Sequence, residues 1–417
     1  MPRFLFGERP YKVPPITILP SAVLFGYLLA LTGCGNAPQA MANYPIISDS
    51  AGVRIVDNGP INRQTCTVSP DPILSIGVVE GEDAYQFFRV FGAAKLSNGN
   101  IAVVNQGSQE LRVFDPQGRF LYAGGTNGEG PGEFSNAFHL RVLPEDSIWV
   151  GDLRPWEFEL FDGQGTWIRN IRPSPEERNT PDGWGILDDG SFIMGDQSEW
   201  DREAQWETRT RQLNLYDKNG TRSDSLTTLI DGRWGLLSSE VNFWAAPLFE
   251  SFAEFDARGS TMVSGNGSAT EFAIWDLHSR GARTDHVRWS ESDREVKPND
   301  IEREHESIVE RNGSLPPELY KALVESQIGP DRPIADVIPA FTEIHIGLDG
   351  SFWLKSHSAR SAKGTQDWKR FDESGLYSCT ATLPDKLNVY EFGSDYILAR
   401  DRDDEVVERV VEYGMEL

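Results

Sequence analysis

Between Ile73 and Gly165 the chain repeats itself without a gap. Displaced by 47 positions, Ile73 falls on Phe120, Gly77 on Gly124, Gly81-Glu82 on Gly128-Glu129 and Phe87 on Phe134. Further on, Phe91 meets Phe138, Leu96 meets Leu143, Ile101 meets Ile148, Phe114-Asp115 meets Phe161-Asp162 and Gly118 meets Gly165. A period in the forties, made of short apolar runs between turn residues, is what the four-stranded blades of a β-propeller leave in a sequence. The repeat constrains architecture far more than it constrains function.

Two turn signals extend the pattern along the chain. One is a Gly/Asp turn between first and second strands: Ser97-Asn98-Gly99-Asn100, Glu145-Asp146-Ser147, Asp188-Asp189-Gly190-Ser191, Arg258-Gly259-Ser260, Asp349-Gly350-Ser351 and Gly393-Ser394-Asp395. The other is an aromatic–Asp–x–x–Gly turn after the third strand, at Phe114–Gly118, Phe161–Gly165, Tyr216–Gly220 and Phe371–Gly375. Asp bonds its own backbone two residues on and Gly accepts positive φ, so both recur at hairpin bends. Second strands such as Ile101–Val104, Ile148–Val150 and Phe352–Leu354 are apolar on consecutive positions, which predicts burial on both faces between neighbouring sheets.

The last unit offers three strands, Leu387–Phe392, Tyr396–Ala399 and Val406–Val411, before the sequence stops. Ile73–Gly77 stands in register with a fourth strand. The expected fold is therefore all-β, a six-bladed propeller closed by an N-terminal strand; a five- or seven-blade count is the alternative. Ser48–Gly59 holds an alternating run that reads as a strand. Two segments break the period. Gln197–Arg211 lengthens the third unit, and Glu291–Ala340, between units four and five, shows helix spacing at Ile301, His305, Ile308 and Val309 and again at Leu319, Leu323 and Val324.

The first 33 residues read apart from the rest. Arg3, Arg9 and Lys12 precede the apolar run Ile16–Ala30, which ends in Leu31-Thr32-Gly33-Cys34. This is the shape of a secretory signal, too short and too terminal for a comfortable membrane span. Its end resembles the lipobox of bacterial lipoproteins. That resemblance implies removal of residues 1–33, lipidation of Cys34 and a tether over residues 34–47; an ordinary signal peptide with a stray Cys is the alternative. Processing takes away three basic residues and Glu8 and moves the formal charge from −25 to −27. So acidic a chain repels phosphate backbones and anionic lipid, which argues against nucleic acid and leaves the lipid anchor as the membrane contact. Cys66 and Cys379 remain, either as one disulfide or as two buried thiols.

The turns quoted above, with Gly-Glu-Gly-Pro-Gly-Glu-Phe at Gly128–Phe134, resemble the NHL-repeat class of propellers. Ser50-Ala51-Gly52-Val53-Arg54-Ile55-Val56 is similar to the start of a group of uncharacterised bacterial six-bladed propeller lipoproteins. The resemblance covers the mature chain and implies architecture and export. The wider class holds binding modules, a few lyases and, among related six-bladed enzymes, metal-dependent lactonases. No catalytic motif of those enzymes matches here residue by residue.

In such a propeller the second-to-third-strand loops and the crossings between units share one face. Gln197–Arg211, Glu291–Ala340 and Ser356–Gln366 all belong there, making it the expected binding face. Arg154, Trp156, Trp200, Trp206 and His357 are its candidate ligand-binding residues, since Trp and Arg dominate recognition hot spots; packing between sheets is the alternative for the tryptophans. Where second strands reach this face, Asn105, Asp152, Asp196, Asn266, His357 and Asp401 form a polar column. Oxygen ligands there suit Ca²⁺ or another divalent cation, while Asn and Asp at strand ends also cap their own turns. Neither HExxH nor a G-x-S-x-G elbow occurs, so the two corresponding hydrolase chemistries are excluded. The expected function is a monomeric, lipid-anchored binding module for a protein, peptide or saccharide, without an obligatory cofactor. A metal-dependent lyase or lactonase with its site in the central channel is the alternative.

Overall fold

The computed structural model describes residues 44–417 apart from 62–63, 154–155, 175–183, 199–205, 240–241, 279–280 and 404–406. Four short strands come first: β1 (Ile46–Ser50), β2 (Val53–Pro60), β3 (Thr67–Val68) and β4 (Leu74–Ile76). The repeating units follow as consecutive antiparallel meanders. The first is β5 (Val90–Lys95), β6 (Ile101–Asn105), β7 (Glu110–Phe114) and β8 (Phe120–Gly124). The second is β9 (Ala137–Leu143), β10 (Ser147–Leu153), β11 (Trp156–Phe161) and β12 (Trp167–Ile171). The third is β13 (Trp184–Ile186), β14 (Phe192–Gln197), β15 (Trp206–Tyr216) and β16 (Arg222–Ser238), with β17 (Phe243–Ala245) added outside. The fourth is β18 (Glu254–Arg258), β19 (Thr261–Gly265), β20 (Glu271–Asp276) and β21 (Ala282–Ser290). The fifth is β22 (Glu343–Ile346), β23 (Phe352–Lys355), β24 (Thr365–Phe371) and β25 (Tyr377–Pro384), and the sixth β26 (Asn388–Phe392), β27 (Tyr396–Arg402) and β28 (Glu408–Glu416).

The predicted turns lie at the hairpin bends. Asp115, Asp162, Asp217 and Asp372 each accept backbone N–H groups two and four residues on. The Gly that closes each of these bends takes a left-handed φ between 78° and 86°. All of Ile101–Asn105 is buried, as a strand covered on both faces requires. Neighbouring sheets share cores. Phe272 of the fourth packs on Phe352 and Phe371 of the fifth at 5.5 and 5.3 Å, and Trp353 stacks on Phe392 of the sixth at 4.3 Å. The last unit shares a core with the first, where Tyr396, Leu398 and Val410 meet Val90, Ala93 and Val103. The chain is mostly β, in a propeller-like succession of sheets.

The N-terminal segment runs outside three of these sheets. Where one strand was expected over Ser48–Gly59, β1 and β2 form a hairpin, and β2 lies parallel to β21 on the outer edge of the fourth sheet. Thr65 then bridges Thr380 in parallel, and Cys66 is disulfide-bonded to Cys379 of β25. Next, β3 and β4 pair antiparallel with β28, Leu74 opposite Glu412 and Ile76 opposite Val410. The segment thus covers backbone edges that would otherwise stand open.

Glu291–Ala340 contains α1 (Pro298–Arg311) and α2 (Pro317–Ile328). Both start at Pro, whose missing N–H is harmless in a first helical turn. Their apolar sides bury Ile308 and Val324 in a small core with Leu248, Phe249 and Ile338. Gly267 holds the exit of the segment, its carbonyl accepting from Ala340 N and Arg294 Nη2. Sequence reading made a loop of Gln197–Arg211. The structure instead runs β15 from Trp206 in register with the far end of β16, Trp206 opposite Gly235. The alternation across Trp206, Thr208 and Thr210 carries a paired ribbon past the end of β14.

Candidate functional site

Among the predicted face residues, Arg154 and Trp200 lie outside the described residues, as does Cys34. Trp156 starts β11 and packs on Phe138 and Phe158 at 6.1 and 5.2 Å, with its indole N–H buried and without an acceptor among the described residues. Trp206 is half-buried at the start of β15. His357 sits 5.4 Å from Phe249, and its Nδ1 accepts from Ala359 N, capping a short 3₁₀ turn. The structure therefore joins His357 to the core beneath α1 and α2, and puts Trp156 at an edge of packed aromatics.

The polar column is engaged locally. Asn105 accepts from Phe88 N, Asp152 from Ser135 N and Asn136 N, Asp196 from Asn214 Nδ2 and Asn266 from Ser268 N. Asp401 pairs with Lys386 at 2.9 Å. Each side chain spends lone pairs on a loop or strand of its own sheet, or on the crossing into it. Among the described residues no three His, Cys, Asp or Glu side chains assemble as a metal-ligand group.

Sequence reading missed a second constellation, on the innermost strands. Arg141 of β9 reaches Asp256 of β18 at 2.6 Å, and Asp256 also accepts from Ala257 N and Ile346 N. Burial alone would raise the Asp256 pKa; Arg141 and His345 outweigh it and hold the carboxyl below its ordinary range. On β22, Glu343 pairs with Lys355 at 2.7 Å and lies 3.7 Å from His345. Lys95 of β5 pairs with Glu412 at 2.6 Å and sits 3.8 Å over the Tyr396 ring, while Glu391 of β26 accepts from Lys95 N and Tyr396 Oη. Burial, then Arg141, push the His139 pKa well down, so its imidazole is neutral at pH 7. Arg258 stands among these groups, its pKa lowered to about 10 by burial and by Arg141. The available signal was period two on the first strands: Arg141, Asp256 and Glu391 break apolar runs where a core strand should not carry charge.

This polar shaft opens into a cavity of about 660 Å³ at the end of the sheets carrying the tight first-to-second-strand turns, opposite the predicted binding face. Lys95, Asp146, Asp188, Arg258, Gly347 and Glu373 are among its lining, with apolar wall from Leu143, Ile274 and Phe352. Glu145 and Asp146 both hold left-handed φ, 65° and 58°, where Gly or Asn is usual. Asp146 offsets that strain by accepting from Ser97 N and Oγ at 2.7 Å each.

No family model matches the chain, and no curated protein matches it. Solved structures with similar folds include a Bacteroides fragilis protein described as exported, at TM-score 0.48 and 12% identity over 87% of this chain and 99% of that one. A DUF4221-family member from Bacteroides vulgatus follows at 0.46 and 10%, over 85% and 99%. A gluconolactonase from Xanthomonas campestris stands at 0.41 and 9%, over 85% and 99%. Among the described residues no helix is long and apolar enough to cross a membrane.

Proposed function

We propose that this chain is an exported, lipid-anchored, six-bladed β-propeller, its ring closed through β4 and β28, that binds a protein, peptide or saccharide on its loop-bearing face. One observation carries the reading. The additions to the third, fourth and fifth sheets, namely the extended β15–β16 ribbon and the α1–α2 pair, all stand at the same end of the sheets. The helices bring a core of their own, so they form a preshaped surface on a rigid scaffold, which is where binding residues concentrate. A mature N-terminus at lipidated Cys34 holds this monomeric domain to the envelope membrane, and its acidity keeps nucleic acid away.

The test is a peptide and glycan array probed with the mature chain and with Trp200→Ala and Trp206→Ala variants. The expected result is a ligand class bound by the native chain and weakened about tenfold or more by either substitution, as for hot-spot aromatics. An array without a binder, or binding indifferent to both tryptophans, would overturn it. Mass analysis of the N-terminal peptide settles the anchor: an unmodified Cys34 thiol contradicts lipidation.

A further inference from the structure

We infer that the cavity at the opposite, tight-turn end is a second site, for a short peptide with apolar side chains and a free C-terminal carboxylate. It is independent of the loop-bearing face. Arg258 lines the cavity and has a buried Nε with no acceptor among the described residues. Its guanidinium makes no hydrogen bond or ion pair with a described residue. The cations beside it have carboxylate partners: Arg141 pairs with Asp256 and Lys95 with Glu412. Asp256 acts on Arg258 only through space, its hydrogen bonds going to Arg141, Ala257 N and Ile346 N. Glu391 and Asp188 likewise act on it only through space, so the guanidinium on the cavity wall keeps donors free, and its planar fork suits a carboxylate.

The rest of the cavity narrows the ligand. Leu143, Ile274 and Phe352 supply apolar wall beside Arg258, and about 660 Å³ is the volume of a small-molecule pocket. The rim is acidic. Asp146 and Asp188 bond Ser97 and Gly259, whereas Glu145 and Glu373, both exposed, line the cavity without a side-chain bond to a described residue. A polyanion meets repulsion there. A molecule with one carboxylate inward, an apolar body and an ammonium outward meets complementary charge at both ends.

The experiment is calorimetric titration of the mature chain with three probes: leucyl-leucine, its C-terminal amide and its N-acetyl derivative. Leucyl-leucine is expected to bind, the amide at least about tenfold more weakly for want of a charge-assisted bond, and the acetyl form several-fold more weakly. Arg258→Gln, which loses no hydrogen bond to a described residue, should remove the preference for the free carboxylate. Glu145→Gln with Glu373→Gln should close the gap between free and acetylated peptide. No heat from leucyl-leucine at millimolar concentration, or equal affinity for peptide and amide, would overturn the inference. The native chain decides this alone, whether or not a variant folds, and array results on the other face do not bear on it.

Discussion

Removing the Cys66–Cys379 bond measures how firmly the N-terminal segment is bound to the sheets. The bond joins residues 313 apart in sequence. For so long a loop the chain-entropy model gives about 5–6 kcal/mol at 25 °C, at or above the top of the range that disulfides usually deliver. Both cysteines are buried in a core with Trp353, Trp368 and Phe392, so breaking the bond leaves most local packing in place. For a folded unit spanning Asn43–Leu417, an unfolding entropy of ~2.1 cal/mol/K per residue comes to ~0.8 kcal/mol/K. A loss of ~5 kcal/mol then lowers Tm by ~6 °C. The assay is scanning calorimetry of the oxidised domain, of the same domain refolded under reductant, and of Cys66→Ala with Cys379→Ala. Reduced protein and double variant should melt together, below the oxidised form. Identical melting of all three, or alkylation of both thiols in unreduced protein, would refute the reasoning.

Asp256→Asn strands Arg141 beside Arg258 without its carboxylate and should destabilise by about 3–5 kcal/mol in urea unfolding. Because the native Asp256 pKa is depressed, its contribution is full at neutral pH and fades as pH falls through the acid range; the variant should lack that fade. Glu159 is 1% exposed, and burial, with Glu157 nearby, raises its pKa to about 7 against the bonds from Trp167 Nε1 and Gly132 N. A raised carboxyl costs stability as pH climbs from its unfolded value of ~4.3 through 7, by ~4 kcal/mol at most, so Glu159→Gln should flatten that slope and melt higher than the native chain at pH 8. Gly267 has φ 69°, and a Cβ there would stand 2.3 Å from Phe341 O; Gly267→Ala should cost about 1–3 kcal/mol and speed proteolysis within Glu291–Ala340.

Local chemistry made most of the architecture legible. Asp and Gly at fixed places in each bend, and strands apolar on consecutive positions, carry their geometry in residue type, so the repeat units could be read directly. The parallel pairing of β2 with β21 could not, because partners some 230 residues apart leave no mark in either run. Nor could the β15–β16 ribbon, since Trp206–Arg211 is polar after its first residue and its buried member, Arg211, is held by Asp231 of β16 rather than by an apolar neighbour that a pattern would show. For the sites the difference is sharper. Loop length pointed to one face, whereas the contact of His357 with Phe249 beneath the helices is one that no spacing announces. The shaft was hidden for the opposite reason. Its charged residues sit singly on different sheets, and only the arrangement of the sheets brings Arg141, Asp256 and Glu391 together.

Closure of the sheet succession by the N-terminal segment rests on the pairing of β4 with β28. Hydrogen–deuterium exchange of the folded domain tests this directly. Ile73 N donates to Glu412 O at 2.7 Å, and Leu74–Ile76 lies antiparallel to β28, so peptides covering residues 72–78 should exchange as slowly as those covering Ile101–Asn105. Exchange of 72–78 at the rate of an exposed loop, with Ile101–Asn105 still protected, would contradict it.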